Sequence, residues 1–299
     1  MNKGILAGIG AYILWGLFPI YWRLLEGVPA IEILVHRMVW SMLFVAAILT
    51  IKKDWHWLRG AVHNRRMMLT YTLAAILLSI NWFTYIWAVN AGFVIEASLG
   101  YFINPLVNIL LGVIFLGEKL RSGQVAAVIL AVLGVVYLTF SYGSLPWISL
   151  ILAFTFGMYG LIKKTAPLES MHGFSLETLV LFLPALGYLI YREAAGMGAF
   201  VHDGTAVTLL LIFAGPVTSI PLLLFGYSAR RIPLSMLGFI QYIAPTIQFM
   251  LGVFVYAEPF PPERLVGFSI IWLALLIYSL ESVSYNRKSK SGSLPVESL

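Results

Sequence analysis

The sequence predicts an all-α polytopic membrane protein with ten transmembrane helices, arranged as two inverted five-helix repeats. The class follows from composition, because 60% of the 299 residues are hydrophobic and only 11% are charged, whereas about a quarter of a soluble domain is charged. The arrangement follows from an interrupted apolar segment that occurs once in each half of the chain. The chain contains no cysteine, which excludes disulfides and cysteine metal sites.

Each predicted helix is an apolar run that can cross a hydrocarbon core of about 30 Å, which takes about 17–25 residues. The runs are 4–22, 33–51, 67–89, 97–116, 122–141, 145–162, 176–191, 206–227, 234–256 and 265–280. Most connections are short, and the long one after the second run contains Trp55 and Trp57 as expected interfacial anchors. The first run lacks a cleavage signal, so we expect it to be a retained helix.

Lysine and arginine residues predict the orientation, because they accumulate in cytoplasmic loops. With the N-terminus in the cytoplasm, most of the 19 basic residues fall in inside segments. Arg23, Arg192 and Arg264 fall outside, and Arg37 lies within the second run. The net charge of +6 therefore reflects topology rather than nucleic-acid binding. We expect a multi-pass protein of the bacterial inner membrane with both termini in the cytoplasm.

One interrupted segment occurs twice, about 140 residues apart: YFINPLVNILLGVIFLGEKL, from Tyr101, and QYIAPTIQFMLGVFVYAEPF, from Gln241. The matched residues are Pro105 with Pro245, Asn108 with Gln248, Gly112 with Gly252, and Glu118 with Glu258. Because a unit of five helices is odd, the second copy would enter the membrane inverted. The expected units are residues 1–142 and 143–284, followed by a short cytoplasmic tail, 285–299.

The repeated prolines lie about ten residues into their helices, near the membrane midplane at about 1.5 Å per residue. A proline within a helix removes one backbone hydrogen bond, so each copy is expected to bend and to turn a free carbonyl toward a central cavity. Inverted repeats with interrupted helices indicate a secondary transporter. Pro105, Pro245, Gly112 and Gly252 are the candidate hinge residues, with close helix packing as the alternative for the glycines.

These patterns resemble the drug/metabolite transporter superfamily in its EamA branch. The resemblance rests on the paired P-x-x-[amide]-x-x-x-G-x-x-x-x-x-E blocks, on the W-G-x-F of the first helix and on EILVHRMVWS. The opening MNKGILAGIGAYILWGLFPIYWRLL is similar to RarD-type permeases, and the resemblance covers essentially the whole chain. It implies a central cavity lined by the first, third, fourth, sixth, eighth and ninth helices, and export of amino acids or other small metabolites. The first helix lacks the proton-coupling glutamate of the superfamily's small multidrug pumps, so simple proton/drug antiport is not expected.

Aromatic rings and side-chain amides of these helices are the candidate solute contacts. Rings supply apolar area, and amides, which are costly in lipid, orient polar groups. The candidates are Trp15, Phe18, Asn81, Tyr85, Tyr101, Asn104, Asn108, Tyr159, Tyr227, Gln241, Tyr242 and Gln248. For any single ring, core packing or contact with lipid is the alternative.

Charged residues near the second and fourth runs form a possible charge pair. Glu32, His36 and Arg37 lie in the second helix or directly before it, and Glu96 precedes the fourth. An arginine at this depth is usually paired. We favour a structural ion pair over a substrate site here.

The expected function is secondary transport that exports a small metabolite, such as an amino acid or a drug-like aromatic compound, by alternating access. Two alternatives stay open: an importer or facilitator of a small anionic metabolite, with Arg37 or Lys163 as the anion contact, and a membrane-embedded enzyme or sensor. The sequence has no zinc motif, nucleophile elbow or phosphate loop, so we expect no enzymatic activity, cofactor or metal. The expected partners are the solute and the lipid bilayer, with no nucleic acid and a monomeric or weakly dimeric state.

Overall fold

The computed structural model describes residues 2–90, 94–142, 147–256 and 262–290, and these residues form helices with no strand among them. The helices are α1 (Lys3–Arg23), α2 (Ala30–Ile51), α3 (His56–His63), α4 (Arg65–Asn90), α5 (Val94–Leu116), α6 (Ser122–Tyr142), α7 (Trp147–Thr165), α8 (Ser170–Ala194), α9 (Thr205–Ala229), α10 (Leu234–Gln241), α11 (Ile243–Met250) and α12 (Pro262–Lys290). The predicted all-α class is confirmed.

Nine helices in the described ranges are long and apolar enough to cross a membrane: α1, α2, α4 to α9 and α12. The chain is therefore a multi-pass membrane protein. The predicted run 234–256 is divided into α10, α11 and a π-helical turn, Leu251–Val255. Pro245 explains the first division, because it cannot donate to the carbonyl of Gln241 four residues earlier, and α10 ends at Gln241.

Helices α3, α8 and α12 differ from the sequence prediction, and α12 (Pro262–Lys290) extends beyond both ends of the predicted run 265–280, into the expected tail. The connection after α2 contains the short helix α3, whose Trp57 and Leu58 pack against a buried cluster that includes Tyr71 and Leu176. Helix α8 begins at Ser170 and has 25 residues, so it is longer than the predicted run 176–191. Its first turns are polar in sequence yet largely buried, which is why hydropathy alone did not include them.

Helix α5 lies antiparallel to α10. Just beyond the end of α5, the Glu118 carboxylate accepts hydrogen bonds from the backbone N–H groups of Leu234 and Ser235, at 2.5 and 2.9 Å. Further back along α5, the carbonyl of Phe102 accepts a hydrogen bond from the Tyr242 hydroxyl, directly after α10, at 3.2 Å. The end of one helix thus meets the start of the other, and Glu118 caps the N-terminus of α10.

Helix α6 lies antiparallel to α12. Arg121, directly before α6, donates to both carboxylate oxygens of Glu281 near the end of α12, at 2.5 and 2.7 Å. Near the other end of α6, Leu138 contacts Gly267 so closely that a Cβ on that glycine would lie 2.5 Å from the leucine side chain. The two helices therefore contact each other along most of their length.

Helix α2 lies antiparallel to α8. Glu32 in the first turn of α2 accepts a hydrogen bond from Arg192 in the last turn of α8, at 2.8 Å. Met42, ten residues further along α2, contacts the hydroxyl of Thr178 near the start of α8. Each of these three pairs joins one helix from either half of the chain.

Candidate functional site

Three of the candidate amides meet in a buried cluster between α5 and α10. Asn108 donates to Oε1 of Gln241 at 2.8 Å and to Oδ1 of Asn104 at 3.2 Å. Gln241 donates to the same oxygen of Asn104 at 2.9 Å, and the Tyr12 hydroxyl donates to Gln241 Oε1 at 3.4 Å. We call Asn104, Asn108, Gln241 and Tyr12 the amide cluster. Its members are nearly fully buried, and they satisfy most of their hydrogen-bonding groups with one another.

Close approach of α5 and α10 makes the amide cluster possible. A Cβ on Gly238 of α10 would lie 2.6 Å from the carbonyl oxygen of Pro105 and 3.2 Å from the Cβ of Asn108. The glycine therefore brings the backbone of α10 against α5 at the level of the repeated proline. Helix α5 continues through Pro105, whereas α10 and α11 are separate helices on either side of Tyr242.

The other two candidate amides bind backbone carbonyls of neighbouring helices. Asn81 of α4 donates to the carbonyl of Leu152 on α7 at 2.8 Å. Gln248 of α11 donates to the carbonyl of Trp15 on α1 at 3.1 Å. That carbonyl lies four residues before Pro19, so it is the one that the proline leaves without a helical partner. Gln248 thus satisfies a backbone group that the hydrocarbon core would leave unpaired, whereas Asn81 adds a second bond to a carbonyl within the continuous helix α7.

Aromatic rings of α1, α7 and α9 pack together beside the amide cluster. The centroid of Trp15 lies 5.7 Å from those of both Phe156 and Phe225, and 5.3 Å from that of Tyr12. Tyr159 stacks on Phe225 with 5.9 Å between centroids. The structure thus brings together the predicted Trp15 and Tyr159. It adds Phe225 and Tyr12, and the spacing of Tyr12 three residues before Trp15 places both on one helix face.

A buried ion pair lies beside these rings. Nζ of Lys163 on α7 is 2.8 Å from Oε1 of Glu177 on α8, and the Tyr159 hydroxyl donates to the other carboxylate oxygen at 3.0 Å. The two charged side chains are only 3% and 1% exposed. The charge of Lys163, the alternative anion contact, is therefore already paired within the protein.

Arg37 of α2 is held differently. Its Nε donates to Oγ1 of Thr218 on α9 at 2.9 Å. Its guanidinium carbon lies 4.7 Å from the ring centroid of Trp22 on α1 and 4.3 Å from that of Trp82 on α4. In the described part of the chain, Arg37 forms no ion pair.

Further rings surround this arginine. The rings of Tyr85 and Tyr101 meet edge to face, with centroids 5.8 Å apart and 66° between their planes, and both lie close enough to interact with the arginine charge. Tyr85 is 38% exposed, and Phe18 packs against Trp22 with 5.4 Å between centroids. We call the following residues the Arg37 cluster: Arg37, Thr218, Trp22, Trp82, Tyr85 and Tyr101.

The other members of the possible charge pair lie apart from Arg37. Glu32 binds Arg192 at 2.8 Å and accepts the backbone N–H of Ala199 at 2.6 Å. His36 accepts a hydrogen bond from the indole of Trp40 at 3.2 Å. The side chain of Glu96 lies outside the described residues. Glu32 therefore has a cationic partner other than Arg37.

The remaining candidates belong to neither cluster. Gly112 faces Glu118, and a Cβ there would lie 2.6 Å from the carboxylate that caps α10, which fits a packing role. The Tyr227 ring lies 3.4 Å from the guanidinium of Arg231 and lines a cavity of about 550 Å³ between α8 and α9. The Tyr242 hydroxyl donates a hydrogen bond to the carbonyl of Phe102 on α5. Gly252 falls in the π-helical turn, and Glu258 lies outside the described residues.

Helices that are apolar enough to cross a membrane many times and that enclose amides, an arginine and an ion pair are typical of membrane transport proteins, in which such polar groups often lie on solute or ion pathways. Residues 2–140 match the EamA-like transporter family. Protein RarD of Streptomyces exfoliatus is 49% identical over 97% of this chain and 92% of its own length. The uncharacterized transporter YojE of Bacillus subtilis is 48% identical over 97% of this chain and 98% of its own. The chain belongs to the EamA-like transporter family, together with proteins named RarD.

A solved crystal structure has the same fold over almost its whole length. It superposes with a TM-score of 0.69, covering 93% of this chain and 98% of the other, at 16% sequence identity. At that identity, the likeness concerns the fold alone. The family predicted from the sequence, and with it the class of membrane transporter, is confirmed by the full-length relatives.

Proposed function

We propose that this protein is a secondary transporter of the bacterial inner membrane that exports a small metabolite by alternating access. The two moving parts are the inverted halves, residues 1–142 and 143–284, with both termini in the cytoplasm. The solute class is an amino acid or a drug-like aromatic compound. The segment 234–255 is the tenth crossing.

The interrupted crossing carries this proposal. Helix α10 ends at Gln241 and α11 begins at Ile243, in the middle of a segment that packs antiparallel on α5. The side chain of Gln241, at this break, belongs to the amide cluster. Secondary transporters place their solute sites at discontinuous helices near the midplane, where two repeats meet.

The pairing of the helices supports an inverted duplication. Under the proposed repeat, α5 corresponds to α10 and α11, α6 to α12, and α2 to α8. Each of these pairs is in contact, and each is antiparallel, as an inverted copy requires. The contacts between non-equivalent helices also match, since α5 packs on α7 as α10 and α11 pack on α1.

The amide cluster suits an interface that opens and closes. A hydrogen bond within a protein contributes only about 0.5–1.5 kcal/mol net, because separation exchanges it for bonds to water. Three such bonds link Asn104, Asn108 and Gln241, and two of them cross between α5 and α10. When these helices separate, the freed amides become contacts for the polar groups of a solute.

Counterflow in proteoliposomes tests the proposal. The panel contains amino acids, sugar phosphates and amphenicols, and we expect the purified protein to accelerate exchange of at least one class. Asn108→Leu should reduce that exchange about tenfold or more, because it removes the central donor of the cluster. The matched control is Gln124→Leu, since Gln124 is a buried amide that binds the backbone N–H of Arg121 outside the cluster. No exchange by folded protein, or normal exchange by Asn108→Leu, would contradict the proposal.

Measurements in the same vesicles distinguish transport that is coupled to an ion gradient from facilitated diffusion. A pH or sodium gradient that drives solute accumulation identifies a coupled transporter. Equilibration that is independent of either gradient favours the facilitator.

A further inference from the structure

We propose that the Arg37 cluster binds the carboxylate of the transported solute, while the surrounding rings contact its apolar body. This inference rests on the proposed transport function and names its substrate class: small organic carboxylates with an apolar or aromatic body. The site comprises residues of α1, α2, α4, α5 and α9. It therefore includes helices from both proposed halves.

The hydrogen bonds of Arg37 leave room for an anion. A guanidinium has five N–H donors in a planar fork. The Nε donor is bound to Thr218, and among the described residues the four terminal donors have no acceptor. Trp22 and Trp82 interact through their ring faces, which attract the charge without accepting these N–H groups as carboxylate oxygens would. The terminal edge of the fork is the part that binds a carboxylate in a bidentate manner.

The aromatic contacts compensate only part of the free-energy cost of burying the Arg37 charge. A cation–π contact contributes about 0.5–2 kcal/mol, whereas withdrawing an ion from water costs several kcal/mol. Glu32 and Glu177 do not supply the stabilisation that is still missing, since Glu32 binds Arg192 and Glu177 binds Lys163. An incoming anion would complete the pairing that Arg37 lacks within the described chain.

The surroundings favour a carboxylate with an apolar body over a phosphate. Arg37 is the single cation of the cluster, and one guanidinium balances the single charge of a carboxylate but only part of a phosphate dianion. Tyr85 is partly exposed and offers its ring to a solute. Arg37 is also hydrogen-bonded to Thr218 of α9, and this threonine lies between Pro216 and Pro221. A solute bound to Arg37 would therefore act on α9, a helix in which the two prolines already remove backbone hydrogen bonds.

Charge-selective labelling tests the site without a known solute. The chain has no cysteine, so Tyr85→Cys gives one reactive thiol beside Arg37. The probes are a sulfonate and a quaternary ammonium methanethiosulfonate of similar size. We expect the anionic reagent to react about tenfold faster relative to the cationic one, because a local charge concentrates counter-ions. Arg37→Gln should abolish this preference.

The matched control is Arg23→Gln. Arg23 is the last residue of α1, and like Arg37 it contacts an aromatic ring, that of Tyr256 at 4.4 Å, but it is exposed and belongs to neither cluster. Its removal should leave the labelling ratio unchanged. An anionic preference that persists in Arg37→Gln, or that disappears equally in Arg23→Gln, overturns the proposal.

Paired probes then distinguish this proposal from the transport function. Phenylacetate should protect the thiol of Tyr85→Cys, and phenylacetamide, which has the same body without the charge, should protect it about tenfold less well. Arg37→Gln should remove the difference. Protection by both probes alike rejects the carboxylate site even if the protein transports other solutes. Protection by phenylacetate alone, without counterflow of any solute, supports the site and rejects transport.

Discussion

Arg37 and Lys163 are both cations within membrane-spanning helices, but their charges are held in different ways. Lys163 binds Glu177 at 2.8 Å, the carboxylate is completed by the Tyr159 hydroxyl, and both charged side chains are almost fully buried. Arg37 has one hydroxyl partner, Thr218, and two indole faces. The first arrangement is a closed ion pair, whereas the second leaves donors that a ligand can use.

This difference shows why depth in the membrane does not by itself reveal the role of a charged residue. An intramembrane cation marks a functional site by default, yet a pair that is complete within the protein has no capacity left for a solute. Pairing is therefore the property to test. The variants below remove one charge at a time, and the comparison predicts a different cost for each.

Lys163→Met should cause the largest loss of stability. It leaves Glu177 buried without a counter-charge, and breaking a buried pair in this way costs about 3–5 kcal/mol. The measurement is the free energy of unfolding by SDS in mixed micelles. The control is Lys163→Met with Glu177→Met, which removes both charges and should recover most of the loss. If the single variant is as stable as the double, the pair does not hold the two helices as described.

Arg192→Met should have an intermediate effect. It removes the cation from Glu32, but the carboxylate keeps the backbone N–H of Ala199 at 2.6 Å. The arginine side chain is 16% exposed, so water reaches this pair more easily than it reaches Lys163. We expect a loss of about 1.5–3 kcal/mol, the contribution of a hydrogen bond to a charged group. Arg192→Lys is the control, and a loss equal to that of Lys163→Met would show that exposure does not moderate the cost.

Arg37→Met should change stability least among the three. The variant removes a charge that no described carboxylate balances, and its thioether can pack against the rings of Trp22 and Trp82. We expect a change within about 1 kcal/mol of the wild-type free energy of unfolding, comparable to one exposed cation–π contact. Thr218→Val, which removes only the hydrogen bond, is the control. A loss as large as that of Lys163→Met would make Arg37 a structural residue and would contradict its role as an anion site.

Hydropathy predicted the helices well, because the length of an apolar run is a local property. It did not include α3, which is short and polar apart from a few residues that pack against its neighbours, or the start of α8, whose polar residues are partly covered by other helices. Pro245 predicted an interruption, and α10 ends at the residue whose carbonyl that proline leaves free. A similar proline in α5 leaves that helix continuous, so the neighbouring packing decides whether a proline divides a helix or only weakens it.

The partners of polar residues were much harder to predict. Asn108 and Gln248 occupy matched positions in the repeat, yet one binds Gln241 and the other binds the backbone at Trp15. Lys163 and Glu177 are both visible in the sequence, but their pairing depends on how α7 and α8 pack. Hydrogen-bond partners depend on side-chain rotamers and on distances between helices. The spacing of residues along one helix gives no information on either. The candidate types were therefore recognisable, whereas their grouping into two clusters was not.

The smallest effect belongs to an exposed pair formed by Glu193 in the last turn of α8 and His202 in the connection between α8 and α9. Nε2 of the histidine lies 2.5 Å from the carboxylate, and this hydrogen bond, with the negative charge, raises the pKa of His202 above its ordinary 6.5. A raised pKa in the folded state means that the pair contributes fully below about pH 6.5 and that the contribution is lost as pH rises through the folded-state pKa. The side chains are 61% and 51% exposed, so water and salt screen the interaction.

Melting temperatures of the wild type and of His202→Ala, compared at about pH 6 and about pH 9, test this assignment against the ordinary histidine range. We expect the wild type to be slightly more stable at the lower pH and the two proteins to melt together at the higher one. Glu193→Gln should remove this extra stability at the lower pH, and high salt should reduce it, because exposed charges are screened. An advantage that grows with pH would have the wrong sign for a histidine stabilised by a carboxylate, and it would show that His202 contributes in its neutral form.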